Sequence, residues 1–190
     1  MLLSSKNTIR IGVTVTFLRL DLSGIAFVPA SLPDNVVLVP LAACSVPFYR
    51  YLYSTVGREY VWWMRTAISD ASLGAILRDP TVAIWVLYRG GEPAGFFELE
   101  TRGGPAVNLS YFGLLPYATG QGLGRAFLDA ALSVAAGRGG RIITVNTCTA
   151  DNPRALPGYL RAGFRPIRTV HEVWDVPSAL GLPIPDHLRA

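Results

Sequence analysis

The chain has 190 residues, 51% hydrophobic and 16% charged, with a formal net charge of +4. This excludes a disordered chain and suits one globular domain with a sizeable core. The basic residues are dispersed, with no Lys/Arg run, so no nucleic-acid partner is expected, although a modest positive balance favours a polyanionic ligand.

The N-terminus carries Lys6 and Arg10 but no compact apolar block ending in a small-residue cleavage site, so no signal peptide is expected. Val13 to Leu20 alternates and is rich in β-branched residues, which predicts a first strand. Residues 21–44 hold Pro29, Pro33 and Pro40, and fit a loop with room for another strand. The longest apolar run, 36–49, is broken by Pro40 and Pro47 and falls short of the roughly 20 residues that span a membrane, so no membrane partner is expected. Phe48 to Thr55 reads as a helix that Gly57 ends. Ser69 or Asp70 caps a second helix reaching Arg78, stopped by Asp79 and Pro80.

Val82 to Tyr88 and Pro93 to Glu100 are strands joined by a hairpin turn in which Gly90 and Gly91 supply positive φ. Residues 102–105 make the next turn, and Val107 to Leu115 the next strand. An alanine-rich helix over 120–136 closes at Gly137, and Ile142 to Thr147 is a buried strand. The region of Asn152 forms a short helix, and Phe164 to Val176 a last strand or hairpin. The tail from Pro177, with Pro183 and Pro185, reads as an extended surface arm. The reading is therefore one α/β domain over 1–176 and an arm over 177–190. The high apolar content points to a buried interface, hence a homodimer. Cys44 and Cys148 give no disulfide framework, so a reducing cytoplasm is the expected setting.

The segment from Tyr111 to Arg125 carries the most information. An apolar strand leads through a turn into Gly120, Gly122 and Gly124, then into a helix. Without side chains in the way, backbone N–H groups at a helix start can cradle an anion. The same pattern also serves a purely structural turn. Further on, Asn152, Ala155, Tyr159, Gly163 and Phe164 form a second pattern.

Together the two motifs resemble the GNAT superfamily of acetyl-CoA-dependent N-acetyltransferases. The loop pattern, Arg or Gln followed by Gly and then Gly or Ala, falls on Thr119, Gly122 and Gly124, with Thr119 as the departure. The later pattern is matched fully. The resemblance implies a mixed, mostly antiparallel central sheet flanked by helices, acetyl-CoA as donor, and a small-molecule or peptide amine as acceptor. It implies that backbone groups of Phe112, Gly113, Leu114 and Leu115 hold the pantetheine arm. It places the pyrophosphate on the loop formed by Thr119, Gly120, Gln121, Gly122, Leu123, Gly124 and Arg125, with Asn152 and Tyr159 also at the cofactor. Tyr159 is then the general acid near the thioester sulfur. Its alternative is a core aromatic, and the alternative for Arg125 is an exposed helix arginine.

Seven residues apart, Asn152 and Tyr159 would share one helix face, and Pro157 would either kink that helix or mark its start. A base must take the proton of the attacking amine. Glu98 and Glu100 share a strand face, and Glu98, the more central, is the candidate; the alternative is a solvent-facing row of acids. Relatives carry an acid near Asn108, where this chain has an amide. Arg50 and Arg65, beside the aromatic cluster of Tyr49, Tyr51, Tyr53, Trp62 and Trp63, would attract an acidic acceptor unless they are solvated. No nucleotide-binding loop, nucleophile elbow or metal-ligand spacing is present, and no metal is expected. The expected activity is direct transfer of acetyl to a primary amine in a ternary complex. The other reading is a non-catalytic acyl-CoA-binding sensor on the same fold.

Overall fold

A computed structural model describes residues 7–23, 31–101 and 104–190. In chain order the elements are β1 (Thr8–Asp21), β2 (Val36–Pro40), α1 (Val46–Gly57), α2 (Met64–Ala67), α3 (Asp70–Leu77), β3 (Val82–Arg89), β4 (Glu92–Glu100), β5 (Ala106–Leu114), α4 (Leu123–Gly137), β6 (Ile142–Cys148), α5 (Ala155–Arg161) and β7 (Arg165–Pro177). The strands form one seven-stranded sheet in the order β2-β3-β4-β5-β6-β1-β7. Pairing is antiparallel except between β5 and β6. This is the mixed, mostly antiparallel sheet flanked by helices that the resemblance implied.

Helices cover both faces, so the central strand β4 is buried almost throughout. Phe97 joins Phe127, Leu128 and Leu132 of α4 in one core cluster. Phe96 joins Tyr49, Leu52, Tyr53 and Val56 of α1 on the opposite face. Those four residues have the spacing of a single helix stripe. Each such side chain, when fully buried, contributes roughly 1.5–3 kcal/mol. Ser45 starts α1 by accepting from the Phe48 amide at 3.4 Å, and Ser69 does the same for the Ser72 amide ahead of α3 at 3.2 Å. A Cβ on Gly113 would sit 2.4 Å from Val56 Cγ1, so only glycine lets α1 approach β5 this closely.

The first strand crosses to the far half of the sheet, where it pairs with both β6 and β7. It is longer than its alternating segment predicts, because Ile9 and Ile11 continue the ladder opposite Val176 and Trp174. The tail expected to be a surface arm is docked. Ile184 and Leu188 are buried against Ile11 and Val13, and Ile11 bridges Arg189. The turn expected at 102–105 lies partly outside the described residues. No helix among the described residues is long and apolar enough to cross a membrane.

Candidate active site

Strands β5 and β6 pair only at Ala106↔Ile142, Val107↔Ile143 and Asn108↔Thr144. Beyond that rung they separate. Asn108 ties the last rung together by accepting from Thr144 Oγ1 and donating to Ser110 Oγ, both at 3.0 Å. Ser110 is then an extra residue in β5, since Glu98 faces Tyr111 while Leu99 faces Leu109. Such a bulge bends its strand. The bend opens a cleft of about 890 Å³ between the two strands. Along it, one edge of β5 from Leu109 to Leu114 has lost its neighbour, leaving backbone donors and acceptors for an extended ligand.

The glycine loop closes one end of the cleft. Gly120 and Gly122 both take φ 78°, which L-residues rarely adopt. Gly122 is the N-cap of α4, and no side chain caps the helix there. The first-turn amides of α4 are therefore free for an anion. A Cβ on Gly120, Gly122 or Gly124 would meet nothing within 4 Å, and all three line the cleft. Coenzyme A fits these features: an open donor array for its pyrophosphate and an unpaired strand edge for its arm. The helix begins at Leu123, later than the pattern predicts, because the two positive-φ glycines precede it.

Of the expected cofactor residues, Phe112, Gly113, Leu114, Thr119, Gly120, Gly122, Gly124, Arg125, Asn152 and Tyr159 line the cleft. Leu115 and Leu123 do not; both are buried in the core. Gln121 is exposed, and its side-chain amide donates to the Tyr117 carbonyl at 2.5 Å. Arg125 is bound by Asp129 at 2.8 Å and donates to the Arg161 carbonyl at 3.3 Å.

Asn152 and Tyr159 both reach the cleft but do not share a helix. Asn152 precedes α5 and closes a tight turn, accepting from the Arg154 amide at 2.9 Å. Its Nδ2 donates to the Tyr60 hydroxyl at 2.9 Å. Pro157 falls in the first turn of α5, where a missing N–H leaves no bond unmade, so the helix is not kinked there. Tyr159 is buried, with its ring edge-on to Phe164 at 5.5 Å. Burial, reinforced by nearby Asp151, raises its pKa and keeps the phenol protonated. Asp151 itself accepts from Trp62 Nε1 at 3.2 Å, Thr147 Oγ1 at 2.8 Å and the Cys148 amide at 2.9 Å. Burial pushes the Cys148 thiol up to about 12, which leaves it protonated and a poor nucleophile.

Glu98 does not line the cleft. Its carboxylate is fully buried, with Oε1 held by Arg65 Nη2 at 2.7 Å and Oε2 by the Tyr49 hydroxyl at 2.5 Å. It is therefore the ion-pair partner of Arg65 and no part of a solvent-facing acid row. Arg65 is thereby also withdrawn from attracting an acidic acceptor. Arg50 is likewise engaged, with Asp70 at 2.7 Å and the Ile68 carbonyl at 2.8 Å. Glu100 instead lines a separate cavity of about 340 Å³ with Arg65 and Asn108. Among the described residues no group of His, Cys, Asp and Glu could hold a metal ion.

The sequence matches the model of the acetyltransferase (GNAT) family over residues 46–164. The chain belongs to that family. The solved structures that resemble this GNAT chain include a GCN5-related N-acetyltransferase from Sphaerobacter thermophilus, with TM-score 0.65 and 13% identity, covering 90% of this chain and 53% of that one. A tandem GNAT protein from the clavulanic acid biosynthesis pathway has TM-score 0.64 and 18% identity, covering 89% and 55%. An aminoglycoside acetyltransferase from an uncultured soil metagenomic sample has TM-score 0.56 and 14% identity, covering 67% and 87%. At these identities the likeness is one of fold. The chain spans little more than half the length of the first two. No curated protein matches the sequence.

Cleft residues that the sequence patterns left out include Asp151, Glu172, Trp174, Phe17 and Val15. Asp151 adjoins the Asn152 motif and was open to notice. The other four reach the cleft only because β1 and β7 pair beyond β6.

Proposed function

We propose that the protein is an acetyl-CoA-dependent N-acetyltransferase that moves acetyl to a primary amine by direct attack in a ternary complex. One observation carries the reading: an uncapped glycine loop, an unpaired β5 edge and Tyr159 face a single cleft. When bound, acetyl-CoA supplies an activated acyl carbon. The loop amides and Arg125 hold the anionic end, and the β5 edge from Phe112 to Leu114 orients the arm. Positioning of amine and thioester supplies most of the rate.

The amine nitrogen forms a bond to the acyl carbon as the C–S bond breaks. Tyr159, kept protonated by its surroundings, gives its proton to the leaving sulfur. With Glu98 locked against Arg65 and Asp151 already accepting three hydrogen bonds, the amine proton passes to water in the open cleft. The protonated thiol of Cys148 favours direct transfer over a covalent acetyl-enzyme. The proposed setting is a reducing cytoplasm, where Cys44 and Cys148 remain free.

A free-thiol release assay with acetyl-CoA against small amines, amino acids and peptides tests the reading. Amine-dependent thiol release supports it. Acetyl-CoA binding with no amine-dependent release would make the chain an acyl-CoA sensor.

A further inference from the structure

The inward face of β7 breaks its own pattern. Val170, Glu172, Trp174 and Val176 alternate toward the interior side of the strand, and Val173 between them is exposed. Across the ladder, Val13 lies opposite Glu172 and Ile11 opposite Trp174. Trp174, Ile11, Val13 and Val176 belong to the apolar cluster under β1. A carboxylate beside such a cluster loses hydration. Among the described residues its one polar contact is the Trp174 indole N–H, which donates to Oε2 at 2.8 Å. Among the described residues no cation pairs with it; Arg168, on the same strand, lies over the Phe17 ring at 4.4 Å.

The cleft runs from the glycine loop to this corner, where Glu172, Trp174, Trp63 and Phe17 line it. The arginines that line the cleft come from elsewhere: Arg125 from α4, and Arg154 and Arg161 from the ends of α5. The charge lining is therefore uneven. Arginines gather on the helices near the loop; of the two carboxylates in the lining, Asp151 already accepts three hydrogen bonds, and Glu172 lies on β7 beside the indoles. A partly dehydrated carboxylate beside aromatic rings attracts an ammonium through charge and through the ring faces.

The nitrogen that attacks a thioester must be neutral, so a nitrogen held as a cation at Glu172 is a different one. We propose that Glu172, with Trp63 and Trp174, holds a second, cationic nitrogen of the acceptor, which makes the substrate a diamine or larger polycationic amine. The inference rests on the acetyl-transfer reading. In the reaction the free nitrogen forms the amide and loses its proton to water, the sulfur leaves with the proton of Tyr159, and the nitrogen at Glu172 stays protonated throughout.

The test compares putrescine with n-butylamine, which share a chain length and differ by the second ammonium. Wild-type protein prefers putrescine in kcat/KM. In Glu172→Gln that preference falls about tenfold or more, carried by KM. Trp174→Phe, which keeps the ring and removes the N–H orienting the carboxylate, shows a smaller fall, and circular dichroism verifies that both variants fold. A tryptophan-fluorescence titration with putrescine alone separates this proposal from the transfer reading. Saturable binding that weakens in Glu172→Gln, without thiol release for any amine, leaves the cation site standing and removes the transferase. Equal handling of the two amines by wild type, or an unchanged preference in Glu172→Gln, overturns the proposal.

Discussion

Burial acts differently on Tyr159, the proposed general acid, and on Glu98, the partner of Arg65. Tyr159 is buried yet lines the cleft, and its proton is held on by burial and by Asp151. Tyr159→Phe keeps the ring against Phe164, so the fold and acetyl-CoA affinity should survive while kcat drops by about 10²-fold, measured by stopped-flow thiol release. Because its pKa is raised, the acid form persists as pH increases. The wild-type rate should show no alkaline decline from this group below about pH 10.

Glu98 is predicted to act on stability. Arg65→Met leaves its carboxylate buried with only Tyr49 as partner, which should cost about 3–5 kcal/mol in urea unfolding. The double variant Arg65→Met with Glu98→Leu should recover much of that loss. Glu98→Gln should leave the shape of the pH–rate profile unchanged. The alternation of 98 and 100 correctly put both acids on one strand face. It could not show that Arg65, from α2, and Tyr49, from α1, close over one of them, because both contacts are made across the fold.

The element proposed to bind coenzyme A is the junction of β5 with α4. Its glycines were readable as a candidate cradle because alternating residues without side chains at a helix start leave backbone N–H groups open to a ligand. The start of the helix was misplaced, since the positive φ of Gly120 and Gly122 delays it. Gly124 separates cradle from fold. It lies within α4, and a Cβ there meets nothing. Gly124→Ala should therefore raise thermal stability, by roughly 0.5–1 kcal/mol, because alanine suits a helix better. The same methyl group faces the cleft, so coenzyme A affinity measured by calorimetry should fall. Gly122→Val should abolish binding and also strain the N-cap at φ 78°. The short helix α2 left no periodic signal in its four residues, and α1 and α3 were legible from caps and spacing. The separation of β5 from β6 was not legible, because it depends on Asn108 and Thr144 meeting across the sheet.

Across the whole molecule, the far edge of the sheet depends on segments distant in sequence. Strand β1 lies between β6 and β7, and the C-terminal residues seal its outer end. Local pattern predicted these strands but carried no information about which ones pair, so the corner holding Glu172 and Trp174 stayed out of view. Leu188 is 3% exposed in the cluster with Ile11 and Val13. Leu188→Ala should cost about 2–5 kcal/mol in urea unfolding. An arm lying free on the surface would show almost no change. The apolar composition also leads us to propose a homodimer, which light scattering at micromolar concentration tests directly.

The central claim is that this cleft forms an amide bond. Incubation with isotopically labelled acetyl-CoA and an amine panel, followed by mass spectrometry of the amines, measures that product. The account predicts labelled N-acetyl amine in amounts matching the free thiol released, and its near loss in Tyr159→Phe over the same interval. Binding of acetyl-CoA with no labelled amide from any amine would contradict it.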